Sequence, residues 1–136
     1  MLNQVILVGR LVRDPDLSYL GTGTARARFT LAIDRRYKDE KGEVPTDFIE
    51  CVLWGKTAEN FAQYLCKGAL TGVIGEIQTN KREKDGVMRY YTSVHCKNFH
   101  FIEPRAVTQE RMEKRGMVKI TKGEAPMEIV ADDLPF

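Results

Sequence analysis

The chain has 136 residues and a net charge of +2, which allows one domain with its own core and says little by itself about a partner. Three cysteines without a CxxC pair argue against a disulfide framework and predict a reducing, cytoplasmic location. The longest opening apolar run, Val5 to Val8, is too short for a signal sequence or a membrane span, so no membrane partner is expected.

The first half of the chain predicts three β-strands. The run VILVGRLVRDPDL indicates a buried strand that ends at Asp14-Pro15. The run ARARFTLAIDRRY alternates strictly, so every second residue from Ala25 to Ile33 faces a core, while Arg26 and Arg28 face water or a ligand.

The third strand, TDFIECVLWG, carries aromatic residues on the face that does not join the core. Because Ile49, Cys51 and Leu53 share one face, Phe48 and Trp54 lie together on the other. A core face backed by a partly aromatic face favours a functional surface.

The second half predicts one short helix and a hairpin. KTAENFAQYLCKG has helical spacing, with Thr57 as N-cap and Gly68 as the stop. Two strands follow, joined at Asp85-Gly86, and Pro104 ends the second. In this hairpin Tyr90 and Tyr91 point to opposite faces, so one of them is expected in the core.

The order of these elements is typical of the OB-fold, a five-stranded Greek-key barrel that commonly binds oligonucleotides. The expected fold is therefore all-β with one short helix, over residues 1–104, followed by a disordered C-terminal tail. Residues 105–131 are predicted to be a flexible linker with a transient helix near Glu110 to Arg115, because large apolar residues become rare. Residues 132–136 form an acidic tip with the sequence DDLPF.

No enzymatic or cofactor motif is found. His95, Cys96 and His100 are close in sequence, but His95 and Cys96 would point to opposite faces of a strand, and no further spacing completes a metal site. We therefore expect no catalytic residues, no metal and no cofactor.

Aromatic and basic residues instead indicate a groove for single-stranded nucleic acid, in which bases stack on rings and cations follow the phosphates. Tyr37 stands beside Arg35, Lys56 follows Trp54, and the predicted hairpin adds Lys81, Arg82 and Lys84. The alternative is that Phe48 and Trp54 pack under the helix or at a subunit contact.

The segments NQVILVGRLVRDPDLSY, TDFIECVLWGKTAENFAQYLCKG and DDLPF closely resemble the bacterial and phage-borne single-stranded-DNA-binding proteins. The resemblance covers residues 1 to about 104 and returns at the last five. It implies an OB-fold, a homotetramer and sequence-tolerant binding of single-stranded DNA (ssDNA). It also implies that the tip docks replication, repair and recombination proteins.

By position, the resemblance places Tyr37, Phe48 and Trp54 at stacking positions and Lys56 and Lys67 at basic ones. In the tip, Asp132 and Asp133 would meet a basic rim on a partner, while the apolar residues Leu134, Pro135 and Phe136 follow and Phe136 fills a pocket.

The chain departs from the family where Arg82 replaces a stacking aromatic and where Glu50, Gln78 and Asn80 stand at positions at which arginine is common. These departures bear on affinity and on the mode of wrapping. Two other functions stay open: a protein-recruiting scaffold that binds DNA weakly, and an RNA-binding OB module.

Overall fold

A computed structural model describes residues 1–114 of the chain. The strands are Val5–Leu11 (β1), Asp16–Tyr19 (β2), Ala25–Asp34 (β3), Thr46–Trp54 (β4), Leu70–Lys84 (β5) and Val87–Phe101 (β6), and the helices are Gly55–Tyr64 (α1) and Arg105–Lys114 (α2).

The strands form one sheet in the order β1-β5-β6-β4-β3-β2, and a further pairing of β1 with β3 closes it into a barrel. Every pairing is antiparallel except that of β4 with β6. The closed barrel confirms the predicted OB-fold. The short strand β2, which pairs with β3 after Pro15, is additional to the prediction. The helix α2 is longer than the transient helix predicted near Glu110 to Arg115 and begins five residues earlier.

The core lies between the inner face of the barrel and α1. On β3 the alternation is as predicted, with Ala25, Ala27, Phe29 and Leu31 buried. The ring of Phe61 from α1 lies 4.2 Å from that of Phe29, measured between centroids, and meets the ring of Phe99 edge-on at 5.0 Å. This aromatic cluster fixes α1 against the sheet.

The ends of α1 differ from the prediction. The helix begins at Gly55, directly after β4, and Trp54 is its N-cap residue without a capping side chain, so the assignment of Thr57 as N-cap is wrong. The helix ends at Tyr64, and Gly68 lies in the turn beyond it, where its N–H donates to the carbonyl of Leu11 at 2.8 Å. The Asp85-Gly86 turn is confirmed, with positive φ at both residues.

A helix follows directly after the predicted domain boundary at residue 104. The first ten residues of the expected linker form α2, which buries Thr108 and Met112. Two buried side chains are too few to produce a helical apolar pattern, which explains why the sequence favoured a linker. The remaining predictions for the linker and the acidic tip, residues 115–136, lie outside the described residues.

α2 is attached through a cluster of polar groups around Glu103, which we call the Glu103 cluster. The carboxylate accepts hydrogen bonds from Arg111 and Thr108, and the guanidinium of Arg10 lies 3.6 Å from it. Burial opposes ionisation of Glu103, but hydrogen bonds from Arg111 and from the backbone N–H of Leu70 outweigh it, so the pKa of the carboxyl lies below its ordinary value.

Replacing Glu103 should therefore weaken the fold in a pH-dependent way. A carboxyl with a lowered pKa stabilises the folded state above its unfolded pKa of about 4.3, and this stabilisation is lost as the pH falls through the folded pKa. We predict that Glu103→Gln lowers the free energy of unfolding at pH 7 by about 1–3 kcal/mol, because charged hydrogen bonds are lost. In urea unfolding at pH 3, the difference should shrink.

Glu110→Gln is the matched control, since Glu110 lies on α2 in an exposed ion pair with Lys114. It should change stability by less than about 0.5 kcal/mol. Equal effects of the two variants would contradict a special role for Glu103.

Candidate nucleic-acid interface

The register between β3 and β4 builds a surface on the side of the sheet away from the core. Arg26 is paired with Trp54, Arg28 with Val52, Thr30 with Glu50 and Ala32 with Phe48. We call the resulting surface the outer face. It comprises His95 of β6, which pairs with Val52, and the side chains of Arg26, Arg28, Phe48, Glu50 and Trp54. The predicted shared face of Phe48 and Trp54 is confirmed, and these residues are 63% and 38% exposed.

Trp54 is held between neighbours on two strands. The guanidinium carbon of Arg26 lies 5.9 Å from its ring centroid. The ring of His95 lies on the other strand at 6.4 Å between centroids and only 16° from parallel. Trp54 therefore presents an oriented, partly exposed ring beside a cation, which is the geometry that base stacking requires.

Arg26 has an unusual environment. Its Nε is buried, and it has no hydrogen-bond partner among residues 1–114. In the same part of the chain neither Arg26 nor Arg28 forms an ion pair with a carboxylate. Their charges therefore stay available to an anion at the outer face.

Arg35, which is predicted to contact DNA, forms an ion pair on the protein surface. Its Nε and Nη2 donate to the two carboxylate oxygens of Asp47 at 2.9 and 2.8 Å, and its Nη1 donates to the Tyr37 hydroxyl at 2.9 Å. The hydrogen bond from Arg35 holds the pKa of Asp47 below its ordinary value, and the hydrogen bond to Asp47 raises the pKa of Arg35. Arg35 is thus placed to orient Tyr37, which is 57% exposed.

The structure separates two of the predicted lysines. Lys56 is the second residue of α1, close to Trp54. Lys67 follows the C-terminal end of α1, where its backbone N–H donates to Asp14 at 2.9 Å. Since ten helical residues span about 15 Å, Lys67 lies at the other end of the helix from the outer face.

The β5–β6 hairpin projects beyond the barrel and exposes both of its faces. The ammonium of Lys81 lies 5.7 Å from the Tyr90 ring centroid, and the guanidinium of Arg82 lies 5.8 Å from that of Tyr91. The prediction that one of the two tyrosines is in the core is wrong, since they are 66% and 45% exposed. Lys84, two residues from Arg82 beside the turn, is also exposed.

Acidic and neutral residues moderate the charge of this surface. Glu50 is exposed between Phe48 and Trp54. Gln78 donates to Glu76 at 3.2 Å, and Asn80 lies opposite Tyr91. Glu50 and Glu76 therefore reduce the positive potential beside the aromatic residues.

The candidate metal ligands are not brought together. Cys96 is buried in the core, whereas His95 lies on the outer face. A hydrogen bond with the Cys96 thiol and burial raise the pKa of Cys51, so this thiol stays protonated at neutral pH. Within residues 1–114 no group of three possible ligands forms, and no helix is long and apolar enough to span a membrane.

Four residues of this surface were not among the predicted site residues, and all were missed for the same reason. They are Arg26, Arg28, His95 and Tyr91. Alternation along β3 shows that Arg26 and Arg28 face outward, but only the register with β4 places them beside aromatic residues. His95 was considered as a metal ligand, and one of Tyr90 and Tyr91 was expected in the core, because sequence spacing does not show which strands are neighbours.

A closed barrel of this topology with aromatic and basic side chains on one outer face is typical of OB-fold proteins that bind nucleic acid. A family model described as the single-strand binding protein family matches residues 2–102. The chain belongs to this family.

Curated relatives agree with this assignment. The chain is 52% identical over 106 residues to a single-stranded DNA-binding protein of Bacillus cereus and 47% identical over 112 residues to one of Enterococcus faecalis. These matches cover 77% and 82% of this chain but only 62% and 60% of the two relatives. Single-stranded DNA-binding protein 3 of Streptococcus agalactiae is 41% identical over 138 aligned positions, with full coverage of both chains.

Releasing Arg35 from Asp47 tests how the ion pair affects this surface. In Asp47→Asn the guanidinium loses its carboxylate partner and becomes available to a phosphate. We predict tighter binding of oligo-dT at low salt and a log-log salt dependence steeper by up to about 0.7, the value for one additional phosphate contact. Titrations at several salt concentrations measure both quantities.

Glu110→Gln on α2 makes the same change in net charge away from Arg35, and it should leave the slope unaltered. If the two variants behave alike, the effect is one of net charge and not of Arg35.

Proposed function

We propose that this protein binds ssDNA without reading its sequence and protects it during DNA replication, recombination and repair, as a binding protein and not an enzyme. The observation that carries the proposal is Trp54, an exposed ring held between Arg26 and His95 on the outer face. The names of the relatives, all single-stranded DNA-binding proteins, support it.

The geometry favours sequence-tolerant binding. Every base has a π-face, so stacking on Trp54 and Phe48 discriminates little between bases. Arg28 and Lys56 add cations for phosphates beside these rings. A cytoplasmic setting fits the three free, buried thiols of Cys51, Cys66 and Cys96.

A scaffold that recruits proteins and binds DNA weakly is the second candidate, favoured by Glu50 and by the pairing of Arg35 with Asp47. Titration with oligo-dT, oligo-U and duplex DNA separates the candidates. Preference for oligo-dT supports ssDNA binding, whereas preference for oligo-U supports an RNA-binding module. Weak binding to all three supports the scaffold.

Trp54 offers a direct test because it is the only tryptophan of the chain. We predict that saturating oligo-dT quenches its fluorescence and that Trp54→Ala weakens binding by about 1–3 kcal/mol, the contribution of one stacked base. Trp54→Phe keeps a ring and should retain most of the affinity. Unchanged fluorescence of the intact protein at saturating DNA would remove Trp54 from the interface.

We also propose that the protein assembles with copies of itself, as a homotetramer. Over most of its length β1 pairs with β5 on one side only, since its pairing with β3 involves just Arg10 and Leu11. On this strand Ile6 and Val8 are 66% and 49% exposed. An unpaired edge with exposed apolar side chains is suited to pairing with the same edge of a second copy.

Light scattering tests the assembly. The intact chain should be several times heavier than its monomer mass of 15.5 kDa. Val8→Lys should reduce the mass, because a charge on this edge opposes burial, whereas Val87→Lys on the exposed hairpin should not. An intact protein that is monomeric at micromolar concentration would contradict the proposal.

Recruitment of replication, repair and recombination proteins is proposed for the tip, Asp132 to Phe136. These residues lie outside the described part of the chain, so the support is chemical: two carboxylates precede an apolar end, and the last fourteen residues contain four acidic and no basic residues. Carboxylates suit a basic rim and Phe136 suits an apolar pocket.

Phe136→Ala should therefore abolish capture of partner proteins from a cell extract, while leaving ssDNA affinity unchanged. Replacing both aspartates by asparagine should weaken capture chiefly at low salt, as expected for rim charges. Pull-down at two salt concentrations measures this. Retained capture by Phe136→Ala would show that the ring is not the anchor.

A further inference from the structure

The strand β6 continues the outer face beyond the residues already described. His95, Ser93 and Tyr91 alternate along β6, and the pairing with β5 is regular from Gly75–Cys96 to the turn, so these three side chains share one face. His95 lies beside Trp54. The face of Trp54 is thus continuous with the face of the hairpin that carries Tyr91.

The two rings on β6 are well separated. Four strand residues span about 13 Å, which places Tyr91 well up the hairpin from His95. Between these rings stands only Ser93, a small side chain. Across the hairpin, the guanidinium carbon of Arg82 lies 5.8 Å from the Tyr91 ring centroid. This cation–ring pair resembles that of Arg26 with Trp54, where the distance is 5.9 Å.

We propose that His95 and Tyr91 form a column of stacking surfaces that carries ssDNA from Trp54 onto the β5–β6 hairpin. Tyr91 supplies a stacking ring on the hairpin, and Arg82 serves as its cation and contacts phosphate. This inference rests on the proposed binding of ssDNA and names further residues that determine it.

A structural role alone explains Tyr91 poorly. Tyr91 is 45% exposed on a hairpin that projects into solvent, so it fills no core. If the contact between Arg82 and Tyr91 served only to stabilise the hairpin, the contact between Lys81 and Tyr90 would serve equally well. The Lys81 ammonium lies at nearly the same distance, 5.7 Å, from the Tyr90 ring centroid. The two tyrosines differ in the face of the sheet on which they lie. Tyr91 lies on the same face as His95, whereas Tyr90 lies on the opposite face.

Tyr90 is therefore a matched control in residue type, strand and cation contact. In anisotropy titrations of the intact chain with long oligo-dT, Tyr91→Ala should weaken binding about 5- to 140-fold, the equivalent of one stacked base. Tyr90→Ala should weaken it less than about threefold, and Tyr91→Phe should bind like the intact protein. Thermal unfolding of all variants monitors the fold.

The role of His95 as a stacking surface is tested by comparing an aliphatic and an aromatic replacement. His95→Leu should lose affinity, whereas His95→Phe should retain it, because the phenyl ring preserves the flat surface beside Trp54. Quenching of Trp54 should persist in Tyr91→Ala, since the base on Trp54 is bound independently of the hairpin.

The outcomes separate this inference from the proposed function. If the intact protein fails to bind oligo-dT, the proposed function fails. If it binds and quenches Trp54, but Tyr91→Ala binds like the intact protein or loses no more affinity than Tyr90→Ala, the column is overturned while ssDNA binding stands. Equal affinity of His95→Leu and His95→Phe would exclude His95 as a stacking surface.

Discussion

The pairing of β3 with β4 is the constraint on which both the core and the candidate interface depend. Nine residue pairs join these strands, from Arg26–Trp54 to Asp34–Thr46. A slip of one strand by a single residue would turn Cys51 and Leu53 outward and bury Glu50 and Trp54 instead. At the open end of the ladder, Thr46 donates to Asp34 at 2.8 Å and Arg35 binds Asp47, which fixes the register from outside the core.

Gly55 allows Trp54 to stand at the junction of β4 and α1. Its φ of +72° lets the chain leave β4 and begin α1 at once, a conformation that residues with a side chain rarely adopt. Trp54 is consequently the last residue of the strand and the N-cap of the helix. From the same turn, α1 directs Phe61 into the core and leaves Lys56 exposed near the aromatic ring.

The sequence predicts what is local and periodic, and the structure adds what depends on neighbours. Alternation predicted the buried face of β3 and the shared face of Phe48 and Trp54. Where α2 forms, the sequence indicated only a transient helix near Glu110 to Arg115, because α2 is attached through ionic contacts to Glu103. The exposure of both tyrosines was not predicted, since it results from the projection of the hairpin beyond the barrel. The contacts of Arg26 and His95 with Trp54 required strand order and register, which no spacing along the chain contains.

The pairing of cations with rings explains how a chain of small net charge can present a surface for a polyanion. A cation bound to a carboxylate, such as Arg35 to Asp47, loses most of its attraction for phosphate. A cation over a ring, such as Arg26 over Trp54 or Arg82 over Tyr91, keeps its charge, because the ring contributes only a quadrupole. In the proposed interface, each such pair would offer a charge for a phosphate and a flat surface for a base. In the proposed interface, the partner of each arginine therefore decides whether its charge is available to phosphate.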